Sequence, residues 1–355
     1  MTTTTTRTDA PVLRTVRSRV GRAAVCGAAV IALSACGASA TSSASSAAAA
    51  GTPSSSSPST STSSPSAAGS AAGVARSSVE TTTGVAYATS SPTQNLDLYL
   101  PVSDGTSAVP VVILIHGGAF QMGDSSMETQ YAQQLVQKGF AVASVNYRLS
   151  GEAAYPAGAQ DVKAAVRWLR ANAATYGLDP DRFAAWGQSA GGWMANMLGA
   201  TGDQATIFDD ASLGNTDQSS AVQAVVSWFG PSNFATMDEQ AAQSSCASGS
   251  QVHGTADSPE SRWLGSAVSS SSLTASTDIS AYVAKATTLP AWYLAHGDSD
   301  CNVPGGQSAE LDAALKKAGA TQTYVVLEGA GHADPMFDQT QLEPTIAFLA
   351  EQLGL

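Results

Sequence analysis

A serine flanked by glycines stands at the junction of a predicted strand and a predicted helix. The segment Gly187-Gln188-Ser189-Ala190-Gly191 follows a predicted strand at residues 182–186 and opens a predicted helix at residues 189–198. Small residues two positions before and after the serine allow a sharp turn that exposes its hydroxyl group. The helix N-terminus favours the negative charge that develops when this hydroxyl attacks a carbonyl group. The pattern predicts that Ser189 is a catalytic nucleophile.

A serine hydroxyl needs a base to take its proton, and histidine commonly serves as that base. The chain has four histidines, His116, His253, His296 and His332. His332 comes after the last predicted strand, in a glycine-rich turn at the sheet edge where a base is needed. His253 lies in a long polar segment, and His296 ends a strand but precedes the candidate acids. We therefore expect His332 to be the base.

The acid that orients the histidine should follow the penultimate strand, and residues 296–304 form that loop. Asp300 is the preferred candidate, because a buried carboxylate bonded to the imidazole Nδ1–H fixes its tautomer and stabilises the imidazolium. Asp298 is the alternative, although it lies nearer the strand end and suits a role in stabilising the turn. Asp334 is too close in sequence to His332. The sequence thus predicts a serine–histidine–aspartate triad.

A run of small residues could bind the oxyanion of a tetrahedral intermediate. It follows a buried strand predicted at residues 111–115 and reads His116-Gly117-Gly118-Ala119-Phe120. Consecutive small residues let backbone N–H groups converge on one point. We expect the donors to be Gly118 and Ala119, together with Ala190 directly after the nucleophile.

Strands and helices alternate along most of the chain from about residue 79 onward. The first two strands, predicted near residues 79–88 and at 96–100, form an antiparallel hairpin. Further strands are predicted at residues 111–115, 140–145, 182–186, 222–228, 291–295 and 323–327, and helices at residues 126–138, 161–174, 189–198, 307–317 and 341–353. This alternation predicts an α/β fold with a mostly parallel sheet of about eight strands, flanked by helices.

Two stretches interrupt this alternation, at residues 201–220 and 234–286, and both are polar and rich in small residues. Long loops near the carboxyl ends of parallel strands commonly act as lids or binding segments. We predict a lid or cap insertion at about residues 201–286. Because it lacks a long apolar run, it favours short acyl groups, with carbohydrate esters as one substrate class.

The amino-terminal segment differs in composition from the rest of the chain. A positively charged stretch with Arg14, Arg17, Arg19 and Arg22 precedes an apolar run at residues 23–33, which ends in Leu33-Ser34-Ala35-Cys36. This pattern resembles a bacterial lipoprotein signal at residues 1–35, with Cys36 as the acylated residue. An ordinary signal peptide is the alternative. Residues 36–78 contain mainly Ser, Ala, Thr, Gly and Pro, which predicts a disordered tether. We expect a cell-surface lipoprotein on the outer face of a bacterial membrane, or a secreted protein.

The cysteines and the net charge fit an exported protein that does not bind nucleic acid. Beyond the signal and Cys36, the chain has two cysteines, Cys246 and Cys301. In an exported domain they are candidates for one disulfide, and two buried free thiols are the alternative. A net charge of −12 disfavours contact with phosphate groups, so we expect no nucleic-acid partner.

In combination these motifs resemble the α/β-hydrolase superfamily, and within it the esterase/lipase branch. The most specific are His116-Gly-Gly-Ala-Phe120, Asn146-Tyr-Arg-Leu149, Asp179-Pro-Asp-Arg182, Gly187-Gln-Ser-Ala-Gly-Gly192 and the loop at residues 296–304. They are similar to hormone-sensitive-lipase-like and carbohydrate-esterase-like members. Two departures are Ala119, where many members have a third glycine, and Trp193, where a smaller or polar residue is frequent.

The resemblance implies ester hydrolysis through Ser189, Asp300 and His332, without a cofactor or a metal ion. Peptidases and formamidases of the same superfamily share this triad, so an amide-cleaving enzyme is the alternative activity. A catalytically dead surface lipoprotein that only binds a ligand is a third hypothesis. It is disfavoured because all three triad residue types are present.

Overall fold

The computed structural model describes residues 79–202, 204–246, 249 and 251–355. The predicted signal peptide at residues 1–35 and the predicted tether at residues 36–78 lie outside these residues. Within the described part of the chain, no helix is both long and apolar enough to cross a membrane.

Within the described residues, eight strands form one sheet in the order β1-β2-β4-β3-β5-β6-β7-β8. The strands are β1 (Glu80–Ala86), β2 (Asn95–Leu100), β3 (Val109–Ile115), β4 (Ala141–Val145), β5 (Leu178–Gln188), β6 (Ala224–Trp228), β7 (Ala291–Gly297) and β8 (Gln322–Leu327). Strands β1 and β2 form the expected antiparallel hairpin, β2 also pairs antiparallel with β4, and the remaining pairs are parallel. The predicted α/β fold is confirmed.

Helices cover both faces of the sheet. They are α1 (Thr129–Gln137), α2 (Ala157–Ala171), α3 (Ala173–Tyr176), α4 (Ala190–Thr201), α5 (Met237–Gln243), α6 (Pro259–Leu264), α7 (Ile279–Val283), α8 (Gly306–Ala318), α9 (Met336–Thr340) and α10 (Leu342–Leu353). Strand β3 shows why the sheet needs a layer of helices on each face. Successive residues of β3 point to opposite faces of the sheet, so Ile113 and Leu114 are fully buried in two different apolar clusters. A parallel strand covered on both faces is expected to be apolar throughout, as this one is.

The stretch at residues 234–286 is more regular than the sequence predicts, and the expectation of a long loop there is wrong. It contains the short helices α5, α6 and α7, and it packs through large apolar side chains. Phe234 and Trp263 are buried against Trp193 of α4, with ring centroids 6.2 and 5.1 Å from it. The Trp193 indole N–H also donates to the Thr277 carbonyl at 3.0 Å. Trp193 therefore anchors the insertion, which explains a large residue there, and the lid role stays a prediction.

Candidate active site

Ser189 occupies a strained turn between β5 and α4. Its backbone has φ 53° and ψ −121°, a conformation that non-glycine residues seldom adopt. A Cβ atom on Gly187 would lie 2.0 Å from the Gly191 carbonyl oxygen, and one on Gly191 would lie 1.9 Å from the Ile115 carbonyl oxygen. Both glycines are therefore required by close backbone approach. The spacing of the motif follows from this turn, which lifts the serine to the carboxyl edge of the sheet.

His332 reaches this serine from the turn that follows β8. Its Nε2 lies 2.9 Å from the Ser189 Oγ, and its Nδ1 lies 2.7 Å from the Asp300 Oδ2. Because the carboxylate can only accept, Nδ1 carries the proton and Nε2 is free to accept from the serine hydroxyl. The edge of the imidazole also packs against Phe229, with ring centroids 4.8 Å apart. The structure thus brings together three side chains that are far apart in sequence.

Asp300 is buried and fully hydrogen-bonded. Its Oδ1 accepts from the backbone N–H groups of Asn302 and Val303, both at 2.9 Å. Burial acts to raise the pKa of Asp300, but hydrogen bonds from His296 and His332 outweigh it and hold that pKa well below its ordinary value. The carboxylate is therefore ionised at neutral pH, as an acid that orients a histidine must be.

The alternative acid has a different place in the same loop. Asp298 accepts a hydrogen bond from the backbone N–H of Gly329 at 2.8 Å, so it joins the turn after β7 to the turn after β8. Of the two candidates, Asp300 contacts His332. Asp298 stabilises the turn, as its position at the strand end predicts.

A second histidine contacts the same carboxylate. His296 is fully buried at the end of β7, and its Nε2 lies 3.3 Å from the Asp300 Oδ2 and 3.0 Å from the Val303 carbonyl oxygen. Both of these atoms are acceptors, so Nε2 carries a proton. The Nδ1 lies 2.7 Å from the Ser308 hydroxyl. This positioning role of His296 is not predicted from the sequence, because the contact with Asp300 depends on how the loop after β7 folds back.

The proposed oxyanion turn adopts an unusual backbone conformation. Gly118, Ala119 and Phe120 all have positive φ values, of 109°, 57° and 61°. Successive residues with such angles can turn their N–H groups towards a common anion. Ala119 and Ala190 line the same cavity as Ser189 and His332, whereas Gly118 is not part of its lining. The donor roles of the three residues stay predictions.

The cavity at the serine has a volume of only about 70 Å³. Polar side chains lie in the lining, and they include the buried Glu260, for which the sequence predicts no role. The apolar part of the lining comes from Ala119, Phe120, Ala190, Pro231, Pro259 and Val303. Larger cavities of about 540 and 610 Å³ contain no triad residue, so volume alone does not locate the site. Among the described residues, no group of three His, Cys, Asp or Glu side chains could hold a metal ion.

A disulfide joins the insertion to the loop that carries the acid. Cys246 and Cys301 are bonded, with their Cα atoms 5.3 Å apart, and this confirms the predicted pair. Cys301 directly follows Asp300, and its carbonyl oxygen accepts a hydrogen bond from the Gln251 N–H at 2.9 Å. The insertion is therefore linked to the loop that carries Asp300 by a covalent bond and by a backbone hydrogen bond.

Known proteins resemble this domain in sequence and in structure. The BD-FAE family profile matches residues 96–315. Esterase LipC of Mycobacterium tuberculosis is 26% identical over 264 residues, and esterase LipQ of the same organism is 29% identical over 226 residues. These alignments cover 73% and 63% of this chain, and they span 61% and 50% of the two relatives.

Two solved structures resemble this domain at about 30% sequence identity. A truncated carbohydrate esterase from gut microbiota matches with a TM-score of 0.68 and 30% identity, covering 80% of this chain and all of that one. A bifunctional GH43-CE protein of Bacteroides eggerthii matches with a TM-score of 0.67 and 31% identity, covering 77% and 38%. The chain belongs to the BD-FAE family, a family of α/β-hydrolase esterases, and its folded domain is of the carboxylic ester hydrolase class.

Proposed function

We propose that the protein hydrolyses short-chain carboxylic esters, with carbohydrates as the alcohol part, through Ser189, His332 and Asp300. The observation that carries the proposal is the continuous set of contacts from the Ser189 Oγ to the His332 Nε2 at 2.9 Å, and from the His332 Nδ1 to the Asp300 Oδ2 at 2.7 Å. This is the order of groups that activates a serine nucleophile.

In the proposed reaction, the Ser189 Oγ attacks the ester carbonyl carbon while its proton moves to the His332 Nε2. Asp300 stabilises the imidazolium that forms, and the N–H groups of Ala119 and Ala190 bind the oxyanion. The imidazolium then donates its proton to the departing alkoxide, and the alcohol leaves an acyl-enzyme. A water molecule then attacks the acyl carbon while His332 takes its proton. The imidazolium returns this proton to the Ser189 Oγ as the bond between Oγ and the acyl carbon breaks, which releases the carboxylic acid and the free serine.

The size of the cavity supports a short acyl group. About 70 Å³ is roughly the space of two water molecules, far below the several hundred Å³ of pockets that bury drug-sized ligands. Apolar residues such as Pro231 and Ala190 suit the methyl group of an acetate ester. The carbohydrate part of the proposal is supported by the resemblance of this domain to the truncated carbohydrate esterase from gut microbiota.

The direct test is Ser189→Ala, assayed with p-nitrophenyl esters from acetate to decanoate and with p-nitroacetanilide as the amide counterpart. The kcat for acetate should fall by several orders of magnitude, because removing one member disables the triad. Ser270→Ala, at an exposed serine of the insertion, is the matched control and should retain activity. Wild-type activity in Ser189→Ala would refute the triad, and a preference for the anilide or for decanoate would refute the substrate class.

We also propose that the protein is exported and anchored by acyl chains on Cys36. The basic and apolar segments before Cys36 support this, and so does the Cys246–Cys301 disulfide, since disulfides persist in oxidising compartments. The test is metabolic labelling with an alkyne fatty acid in a bacterial host, followed by membrane fractionation. Label and membrane association should both disappear in Cys36→Ser. Label that persists in this variant would refute the anchor.

A further inference from the structure

A buried carboxylate lies beside the proposed nucleophile and has no role in the triad. Glu260 sits in the first turn of α6 and is only 5% exposed. Its Oε1 lies 3.1 Å from the Nδ1 of His253, which is itself 1% exposed. No hydrogen bond to the Glu260 Oε2 comes from any residue that the structure describes, although this oxygen is buried. A buried carboxylate oxygen without a donor is costly to the fold, and a hydrogen-bond donor on a bound ligand would offset this cost.

The same side chain lines the cavity that contains Ser189 and His332. Two further polar residues share this lining: Asn302 lies in the loop that carries Asp300, and the Gln251 backbone is hydrogen-bonded to that loop. The remaining lining is mainly apolar and suits an acyl methyl group. The cavity therefore combines an apolar part with a polar part that holds one carboxylate and two amides.

The Glu260 Oε2 has lone pairs that accept hydrogen bonds, so the ligand group that satisfies it is a donor. A short unsubstituted acyl group has no donor, and the ester group itself has none. The donor must therefore belong to the alcohol part of the substrate. A hydroxyl is favoured over an ammonium group, because the alcohol part of the proposed carbohydrate esters carries hydroxyl groups.

We infer that Glu260 determines substrate specificity by accepting a hydrogen bond from a hydroxyl group next to the ester, so that the site selects esters of polyhydroxy alcohols. This inference rests on the proposed esterase function. His253 lies 3.1 Å from the other carboxylate oxygen of Glu260 and is not part of the cavity lining. A charge-assisted hydrogen bond of this kind corresponds to a change of about 10- to 100-fold in kcat/KM.

The experiment compares two acetate esters that differ by one hydroxyl group, 2-hydroxyethyl acetate and ethyl acetate. The readout is the ratio of their kcat/KM values, which cancels any general loss of activity or of folded protein. In Glu260→Gln this ratio should fall at least about tenfold below the wild-type ratio, since a neutral acceptor binds a hydroxyl less strongly. In Glu239→Gln, a matched change at an exposed glutamate of α5, the ratio should stay at the wild-type value.

A second measurement needs only the wild-type enzyme and so does not depend on the folding of a variant. The acetyl-enzyme is formed from p-nitrophenyl acetate in the presence of ethylene glycol or ethanol, and the esters produced are quantified. Ethylene glycol should capture the acetyl group at least about tenfold better, because the same hydrogen bond assists the reverse attack.

The outcomes separate this inference from the proposed function. A wild-type enzyme that hydrolyses neither acetate ester nor p-nitrophenyl acetate refutes the esterase function and the inference with it. An active wild-type enzyme refutes the inference alone if Glu260→Gln leaves the ratio unchanged. Equal capture by the two alcohols refutes it in the same way.

Discussion

Replacing Asp300 with asparagine should disable the triad without changing the shape of the side chain. The carboxylate accepts two backbone N–H groups on Oδ1, and on Oδ2 it faces the N–H groups of His332 and His296. All four partners are donors, whereas an amide offers one acceptor and one donor. In either orientation, the amide NH₂ group must therefore face two donors.

Both orientations carry a penalty. If the NH₂ group faces the histidines, His332 must move its proton to Nε2, where it can no longer accept from Ser189. If the NH₂ group faces the backbone, two buried N–H groups lose their acceptor, at a cost of about 1–3 kcal/mol each. We expect kcat for p-nitrophenyl acetate to fall by about 10⁴-fold, the magnitude associated with the wrong tautomer in serine triads.

The assay measures kcat and the rate of labelling by a fluorophosphonate, with circular dichroism to verify folding. Asp298→Asn is the control in the same loop. Its amide oxygen can still accept from the Gly329 N–H, so kcat should stay within about tenfold of the wild type. A folded Asp300→Asn enzyme with kcat within about tenfold of the wild type would refute the assignment of the acid.

Three further predictions concern stability. Cys301→Ser should lower the free energy of unfolding by about 4 kcal/mol in urea, because the disulfide closes a 55-residue separation; an unchanged midpoint would contradict this. Burial raises the pKa of Glu128 to about 7, above its value in the unfolded chain. The folded protein therefore loses stability as the pH rises to 7, because the carboxyl group ionises more readily in the unfolded chain. The free energy of unfolding of Glu128→Gln should therefore gain about 3 kcal/mol over that of the wild type between pH 5 and 8. Equal urea midpoints for the two proteins at pH 8 would refute this prediction. Gly191→Ala should yield little soluble protein, since its Cβ would lie 1.9 Å from the Ile115 carbonyl oxygen; a wild-type yield would contradict the close approach.

Local patterns were enough to predict the sheet and the residues at its carboxyl edge. Strand β3 and strand β7 are short apolar runs, and the turns that follow them carry the oxyanion segment and the acid. The carboxyl ends of parallel strands lie at one edge, so residues in these turns become neighbours whatever their separation in sequence. Asp300 and His332, 32 residues apart, could be paired on this ground.

The helices within the insertion could not be predicted in the same way. Its helices α5, α6 and α7 have between five and seven residues, too few to display a helical period. They are stabilised by tertiary contacts, such as that of Trp263 with Trp193, and these leave no local signal. The burial of Glu260 depends on the same contacts, because a glutamate after Ser258-Pro259 otherwise suits an exposed first turn.

The loop with the acid is held from three directions, and this links substrate recognition to the geometry of the triad. His296 contacts the Asp300 carboxylate from β7, the Asp298–Gly329 hydrogen bond joins the loop to the turn before His332, and Cys301 is bonded to the insertion. The insertion also carries Glu260, which lines the cavity at the nucleophile. A displacement of the insertion would therefore act on the polar part of the cavity and on the acid together. The rate of a serine hydrolase falls steeply when the hydrogen bonds of its triad lengthen. This linkage therefore restricts the polar part of the cavity and the Asp300 carboxylate to one common geometry.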